Sequence, residues 1–404
     1  MLQMSVFDMK FGESILLKRN TDALLVDCGS KSNRKAMIDV ISDKIGSPAK
    51  LAFMLTHFHD DHFKYFKQIA KKKGQADILY LPWLSFRKKT YVALFDVALC
   101  LYFLYTKKDL NVSFLLFDQK KYIVQWVKPG GWVQALEQGD KFDLNDTTME
   151  VLWPASVPLE DIYDNDCKKV RKILRDIIKE LFSSRKECKE FCSLRKKLQE
   201  IHKKFRNLFS GDRHEFQLDD KTISMLEQLS DQEKRILQEL DQKYGVPLRK
   251  DRKKTEDWRN KLRDIFHDDI NATSIVFRDY QEKETNRYHL LMTGDVTIPV
   301  VDKYLFDAYF KRKWYQYMKC PHHGTDTNYT ICLPYSDNLI ISNGGNQHHN
   351  ISSDYFYHAD MRGERYCTNA RCDIIKNKNR CCSENGARNH CGTDADCPYF
   401  DIDI

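Results

Sequence analysis

The sequence predicts a mixed α/β fold, split by a charged α-helical insertion and followed by a cysteine-rich tail. Three observations predict it. Short apolar runs ending in turn residues or an acid recur in both halves of the 404-residue chain, at 24–29, 51–55, 288–292 and 339–345. Such runs read as buried strands. Between about 156 and 270 the composition changes: Lys, Arg, Glu and Asp become dense and glycine almost vanishes. Finally, the run at 51–55 leads directly into T-H-F-H-D-D-H at 56–62, three histidines and two acids in one stretch.

The first half spans 1–155. Residues 6–17 read strand, turn, strand, with Gly12 supplying the turn conformation. The next strand, 24–29, ends in Asp27, Cys28 and Gly29. In 56–62, His57 and His59 lie two apart and can point the same way from an extended segment. Asp61 and His62 follow at the turn and can face a second position nearby. Imidazole and carboxylate are the donors that suit Zn2+, Mn2+ or Fe2+. Residues 63–73 alternate apolar and basic side chains at helical spacing, an amphipathic helix. Strands follow at 78–82 and 147–152, the latter leading into Trp153-Pro154. The most apolar stretch, 91–105, contains Asp96 and is too short for a membrane span, so it reads as a buried helix.

The insertion, 156–270, carries apolar residues at helical spacing. Leu194, Leu198, Ile201, Phe205 and Leu208 step by 4, 3, 4, 3, the seam of a helical hairpin or short coiled coil. Its charges either face water on a helical arm or form a surface for a protein partner, self-association or nucleic acid. Arg249, Lys250, Arg252, Lys253 and Lys254 stand just after an expected helix end. They are candidate phosphate contacts or an exposed loop.

The second half, 271–365, holds N-A-T-S-I-V at 271–276, T-G-D at 293–295, K-C-P-H-H-G-T at 319–325, and I-S-N-G followed by His348, His349 and Ser352. Taken with H-x-H-x-D-H, these motifs resemble the metallo-β-lactamase family. The group most similar is the metallo-β-lactamase domain of the DNA-uptake protein ComEC. Asp8, Gly12, Ser14, Asp27 and Gly29 fit that group's opening, with Lys10 in place of a glycine and Glu13 in place of an aspartate. The resemblance implies a four-layer αββα sandwich and a centre of two divalent metal ions, Zn2+ or Mn2+. His57 and His59 would hold one ion, Asp61, His62 and His322 the other, with Asp295 bridging. His323 and His348 are alternative ligands, and Asp27 orients a ligand from behind. Asp61 and His349 are the catalytic candidates. A separate Gly-His motif carried by many members is not evident.

The implied activity is that of a metal-dependent hydrolase, most simply a phosphodiesterase or nuclease acting on DNA or RNA, in a role such as prokaryotic genome defence. The alternative is a hydrolase of a cyclic nucleotide, phosphocholine ester, lactone, thioester or peptide. The net charge of +7 is compatible with an anionic substrate. Thirteen cysteines without a secretory signal point to a reducing cytoplasm and no membrane association. The tail, 366–404, lacks paired C-x2-C knuckles; a small structural Zn2+ site, free thiols and disulfides all remain open there.

Overall fold

A computed structural model describes residues 1–105, 115–182, 185–250, 252–283, 285–325, 328–343, 351–359, 364–368, 389–391 and 399–404. The strands are β1 (Leu2–Phe7), β2 (Ser14–Arg19), β3 (Asp22–Cys28), β4 (Lys50–Met54), β5 (Ala76–Pro82), β6 (Val127–Leu136), β7 (Lys141–Leu144) and β8 (Thr147–Trp153). Then come β9 (Glu215–Gln217), β10 (Val276–Asp279), β11 (Arg287–Met292), β12 (Trp314–Lys319), β13 (Tyr335–Ile341), β14 (Arg365–Cys367), β15 (Asn389–Cys391) and β16 (Tyr399–Asp403).

The chain divides into two compact units. The first comprises 1–82, 136–156 and 271–404. The strands it contributes to one sheet run in the order β16-β1-β2-β3-β4-β5. Its other sheet runs β15-β14-β13-β12-β11-β10-β8-β7. Both are mixed: β3, β4 and β5 are mutually parallel, as are β11 through β15. Side chains two apart share a face of a strand. Met4 and Val6, Ile15 and Leu17, Leu24 and Val26, and Ala52 and Met54 therefore line one face of the first sheet. They meet Met149, Val151, Phe277, Leu290, Met292 and Ile340 of the second in one apolar core. Phe53, of opposite parity, turns outward and meets Phe66 of the helix Phe66–Lys73 at 4.8 Å. On the second sheet, Trp153 meets Tyr304 of the helical segment Val301–Phe310 at 5.2 Å. The architecture is the αββα sandwich expected from the motifs.

The second unit comprises 83–135 and 157–270. It is more than a hairpin inserted at 156. The apolar run at 91–105 forms the helix Lys88–Leu104 inside this unit, so its partners are other helices of the unit. Leu194, Leu198, Ile201 and Phe205 of the helix Arg185–Arg206 are buried in the same unit. There that helix packs against Asp220–Leu240. A short antiparallel ribbon pairs β6 with β9. Among the described residues no helix is long and apolar enough to cross a membrane.

In the tail, Cys372, Cys381, Cys382 and Cys397 lie outside the described residues, and the expected structural Zn2+ falls with them. Cys367 is buried, and Cys28, Cys100, Cys167 and Cys320 are buried free thiols.

Candidate metal centre

Strand ends deliver the centre. Crevices at the carboxyl ends of parallel strands are where α/β sheets place ligands. Here β3 and β4 in one sheet, and β11, β12 and β13 in the other, present their carboxyl ends together. β3 ends beside Asp27, whose φ of 54° is rare for a residue with a side chain. β4 leads into 56–62, β11 into Asp295, β12 into His322 and His323, and β13 into Ser342. Close backbone approach fixes this edge. A Cβ at Gly29 would fall 2.4 Å from the Asp61 carbonyl carbon, so only glycine lets β3 lie against the histidine stretch.

Asp27 acts from behind the ligands. It accepts hydrogen bonds from Thr56 N at 2.8 Å and Thr56 Oγ1 at 2.7 Å, and lies 2.8 Å from His62 Nδ1. That last contact leaves His62 Nε2 to face the centre, the usual arrangement behind a histidine ligand. Asp295 Oδ2 is the focus of four imidazoles: His62 Nε2 at 3.2 Å, His323 Nε2 at 3.6 Å, His322 Nε2 at 3.8 Å and His57 Nε2 at 3.9 Å. His59 Nδ1 lies 3.1 Å from His57 Nε2. All of these side chains are buried except that of His322, which is half-buried.

The donor set fits a divalent ion. His57, His62 and Asp295 each offer an atom within 4.8 Å of one another, and so do Asp61, His62 and His323. Asp61 Oδ1 and His323 Nε2 are buried with no hydrogen-bond partner among the described residues. Buried polar atoms without partners are rare and call for a ligand. Of the paired histidines, His323 rather than His322 enters these close groups. His322 Nδ1 is instead hydrogen-bonded to Asn328 Nδ2.

Electrostatics hold the acids ionised. Burial opposes charge on Asp61, but Lys31 (Nζ to Oδ2 3.0 Å), His62 and His323 outweigh it and keep the carboxyl below the usual range. Asp295 is likewise held well below its ordinary value against its burial, by His323, His62, His322 and Lys319.

Sequence reasoning assigned no role to Glu13 or Lys319. Lys319 Nζ, fully buried, sits 2.7 Å from Glu13 Oε2, 3.5 Å from Asp295 Oδ1, and donates to Gly294 O at 2.8 Å. Ser342 Oγ also donates to Glu13 Oε2, at 2.7 Å. Lysine at the head of K-C-P-H-H-G-T and the acid in the first turn were the available signals.

Other candidates lie elsewhere. His348 and His349 fall outside the described residues. Arg249 is engaged within its own unit. Its Nη1 donates to the carbonyls of Tyr102, Phe103 and Tyr105 and pairs with Asp241 at 2.7 Å. It caps the end of the helix Lys88–Leu104, whose last carbonyls need donors. Lys250 and Lys253 are exposed, and the side chains of Arg252 and Lys254 lie outside the described residues.

No protein-family model matches the sequence, and no curated protein does. Among solved structures the chain is similar to the metallo-beta-lactamase fold protein YhfI from Bacillus subtilis, with 16% identity over 38% of this chain and 53% of that one, at a TM-score of 0.22. It is also similar to a protein of unknown function from Enterococcus faecalis V583, with 10% identity over 37% of each chain, at a TM-score of 0.19. The chain thus spans about half the length of the first and under two fifths of the second.

Proposed function

We propose that this chain is a metal-dependent hydrolase, and specifically a phosphodiesterase that cleaves nucleic acid with two divalent ions, Zn2+ or Mn2+. One observation carries the reading: Asp295 and the imidazoles of His57, His62 and His323 converge at one sheet edge, with Asp61 beside them. His57, His59 and Asp295 would hold one ion, and Asp61, His62, His323 and Asp295 the other. When bound, such ions supply Lewis acidity and make water a nucleophile at neutral pH.

The chain's own residues prepare that chemistry. Asp27 fixes the His62 ring so that Nε2 is presented. Lys31 keeps Asp61 ionised, so its carboxylate can hold an ion or take up a proton. Lys319 and Glu13 neutralise each other beside Asp295 and fix the orientation of its carboxylate. A site that recognises a phosphodiester by charge needs no base reading, which suits a nuclease of low sequence preference.

The test is hydrolysis of single-stranded DNA, duplex DNA, RNA and bis-para-nitrophenyl phosphate with added Mn2+ or Zn2+, wild type beside Asp61→Ala. Polymer cleavage that falls by about 10²-fold or more in the variant is the expected result, in line with the loss of a group that stabilises developing charge. Cleavage of the small diester alone would move the assignment to a small phosphodiester. A folded Asp61→Ala protein that cuts normally would overturn it.

A further inference from the structure

Lys31 joins the candidate metal centre to solvent. Its Nζ lies 3.0 Å from Asp61 Oδ2. Its side chain is 29% exposed and that of His322 13%, against 8% or less for His57, Asp61, His62, Asp295, Lys319 and His323. Among these residues, a molecule arriving from solvent meets Lys31 and His322 first. Local bonds fix the loop that carries Lys31. Its backbone N–H donates to Phe11 O at 2.7 Å, Ser30 Oγ donates to Met9 O at 2.6 Å, and Ser32 N donates to Ser30 Oγ at 3.0 Å. These bonds tie 30–32 to the first turn, where a Cβ on Gly12 would fall 2.2 Å from Gly29 O.

The ammonium is held but not saturated. It lies 4.4 Å from the centre of the Phe11 ring, a cation–π contact. An ammonium has three N–H donors. Asp61 and the Phe11 ring account for two, and among the described residues no other group meets Lys31 Nζ. A donor is left for a bound molecule. The other cations of this edge are committed. Lys319 is fully buried between Glu13 and Asp295. Arg34 Nε donates to Asp8 O at 3.0 Å, and its Nη2 lies 3.2 Å from Asp8 Oδ2. Lys64 Nζ donates to Ser30 O at 3.2 Å.

We propose that Lys31 binds the substrate, its ammonium donating to a non-bridging oxygen of the phosphodiester, and so recognises that group by charge. The inference rests on the phosphodiesterase reading above and gives it a substrate contact. The Asp61 carboxylate is divided between two tasks: Oδ1 is buried without a hydrogen-bond partner, whereas Oδ2 meets Lys31. One oxygen is thus open to an ion while the other keeps the ammonium beside it. Hydrogen bonds from an ammonium to a phosphate oxygen are charge-assisted, roughly twice as strong as those between neutral groups. A charge fixed in place before the substrate arrives costs no reorganisation when it acts.

The experiment is calorimetric titration of inorganic phosphate into the Mn2+-loaded full chain, beside a separate titration with Mn2+ alone, for wild type, Lys31→Met and Lys31→Arg. Neither needs turnover. Lys31→Met is expected to weaken phosphate binding by about tenfold to a hundredfold, the size expected of a hydrogen bond to a charged group. Its Mn2+ affinity should hold or rise, because a cation beside Asp61 has gone. Lys31→Arg keeps the charge and is expected to retain most of the phosphate affinity. Lys31→Gln serves if the methionine variant does not fold. On bis-para-nitrophenyl phosphate the neutral variant should raise KM with kcat little changed, the mark of a lost ground-state contact. Unchanged phosphate affinity would overturn the proposal. So would a parallel fall in Mn2+ and phosphate affinity, or a lowered kcat at unchanged KM, since either would make Lys31 a support for Asp61 alone. A wild-type chain that binds Mn2+ but no phosphate would overturn it while leaving a metal-dependent hydrolase of another ester. A wild-type chain that binds no Mn2+ would overturn the phosphodiesterase reading and this proposal together.

Discussion

Lys319 sits at the centre with its ammonium fully buried, which only close carboxylates can sustain. Removing one partner of a buried pair leaves the other charge uncompensated, at a cost of about 3–5 kcal/mol. Lys319→Met should therefore destabilise the protein by that order and weaken Mn2+ binding, because Asp295 Oδ1 loses its fixed neighbour. Adding Glu13→Gln should restore much of the stability but not the metal affinity. Denaturant melts and metal competition on both variants check this; a single Lys319→Met variant as stable as wild type would refute it. The residue scale also marks how far the sequence could be read. The histidine stretch was legible because its donors are contiguous and follow a strand. Glu13 and Lys319 were not, because a tertiary approach of distant turns makes their pairing. Within the run 249–254, a string of charges does not say which member turns inward, as Arg249 does.

At the scale of elements, four helices of the second unit are tied by one buried polar node. Tyr91, Lys120, His202 and Glu233 come from Lys88–Leu104, Leu115–Trp126, Arg185–Arg206 and Asp220–Leu240 respectively. Lys120 Nζ lies 3.0 Å from Glu233 Oε2, and His202 Nε2 lies 2.5 Å from Glu233 Oε1. Tyr91 OH meets His202 Nδ1. Burial, reinforced by Lys120, pushes the His202 imidazole down to about 4. Its unfolded value is near 6.5, so the unfolded chain takes up the proton first as pH falls. His202 therefore costs no stability above about pH 6.5 and removes it progressively toward pH 4, by about 3 kcal/mol in all at 1.36 kcal/mol per unit. Urea melts at pH 7 and pH 5 should show a larger loss in wild type than in His202→Gln; an equal loss would count against the node. The 4-3-4-3 spacing from Leu194 identified the buried face of the helix Arg185–Arg206. It could not say against what, and that is why 91–105 was placed with the first half while it packs in the helical unit.

At the scale of the whole molecule, the fold tolerates a large insertion for a topological reason. β8 and β10 pair directly, Trp153 opposite Val276, so the chain leaves and re-enters the sandwich at adjacent strands. Loop-closure entropy grows only slowly with length, by about 0.6 kcal/mol per doubling, so the inserted segment need not strain the sheet. This is also why motifs in order across 56–62, 293–295 and 319–325 remained readable on both sides of the insertion. The two-unit division leads to a last prediction. The proposed ligands all lie in the first unit. An ion that binds only the folded state stabilises it by RT ln(1 + [L]/Kd), about 2.7 kcal/mol at a hundredfold excess over Kd. That stabilisation should appear in the strands that deliver ligands, β3, β4, β11 and β12, and not in the helix Asp220–Leu240. Amide hydrogen exchange with and without Mn2+ resolves the two. Protection confined to the sandwich strands, and abolished in Asp295→Ala, is the expected result. A gain spread evenly over both units would mean that they unfold as one, and a gain only in the helices would place the ion elsewhere.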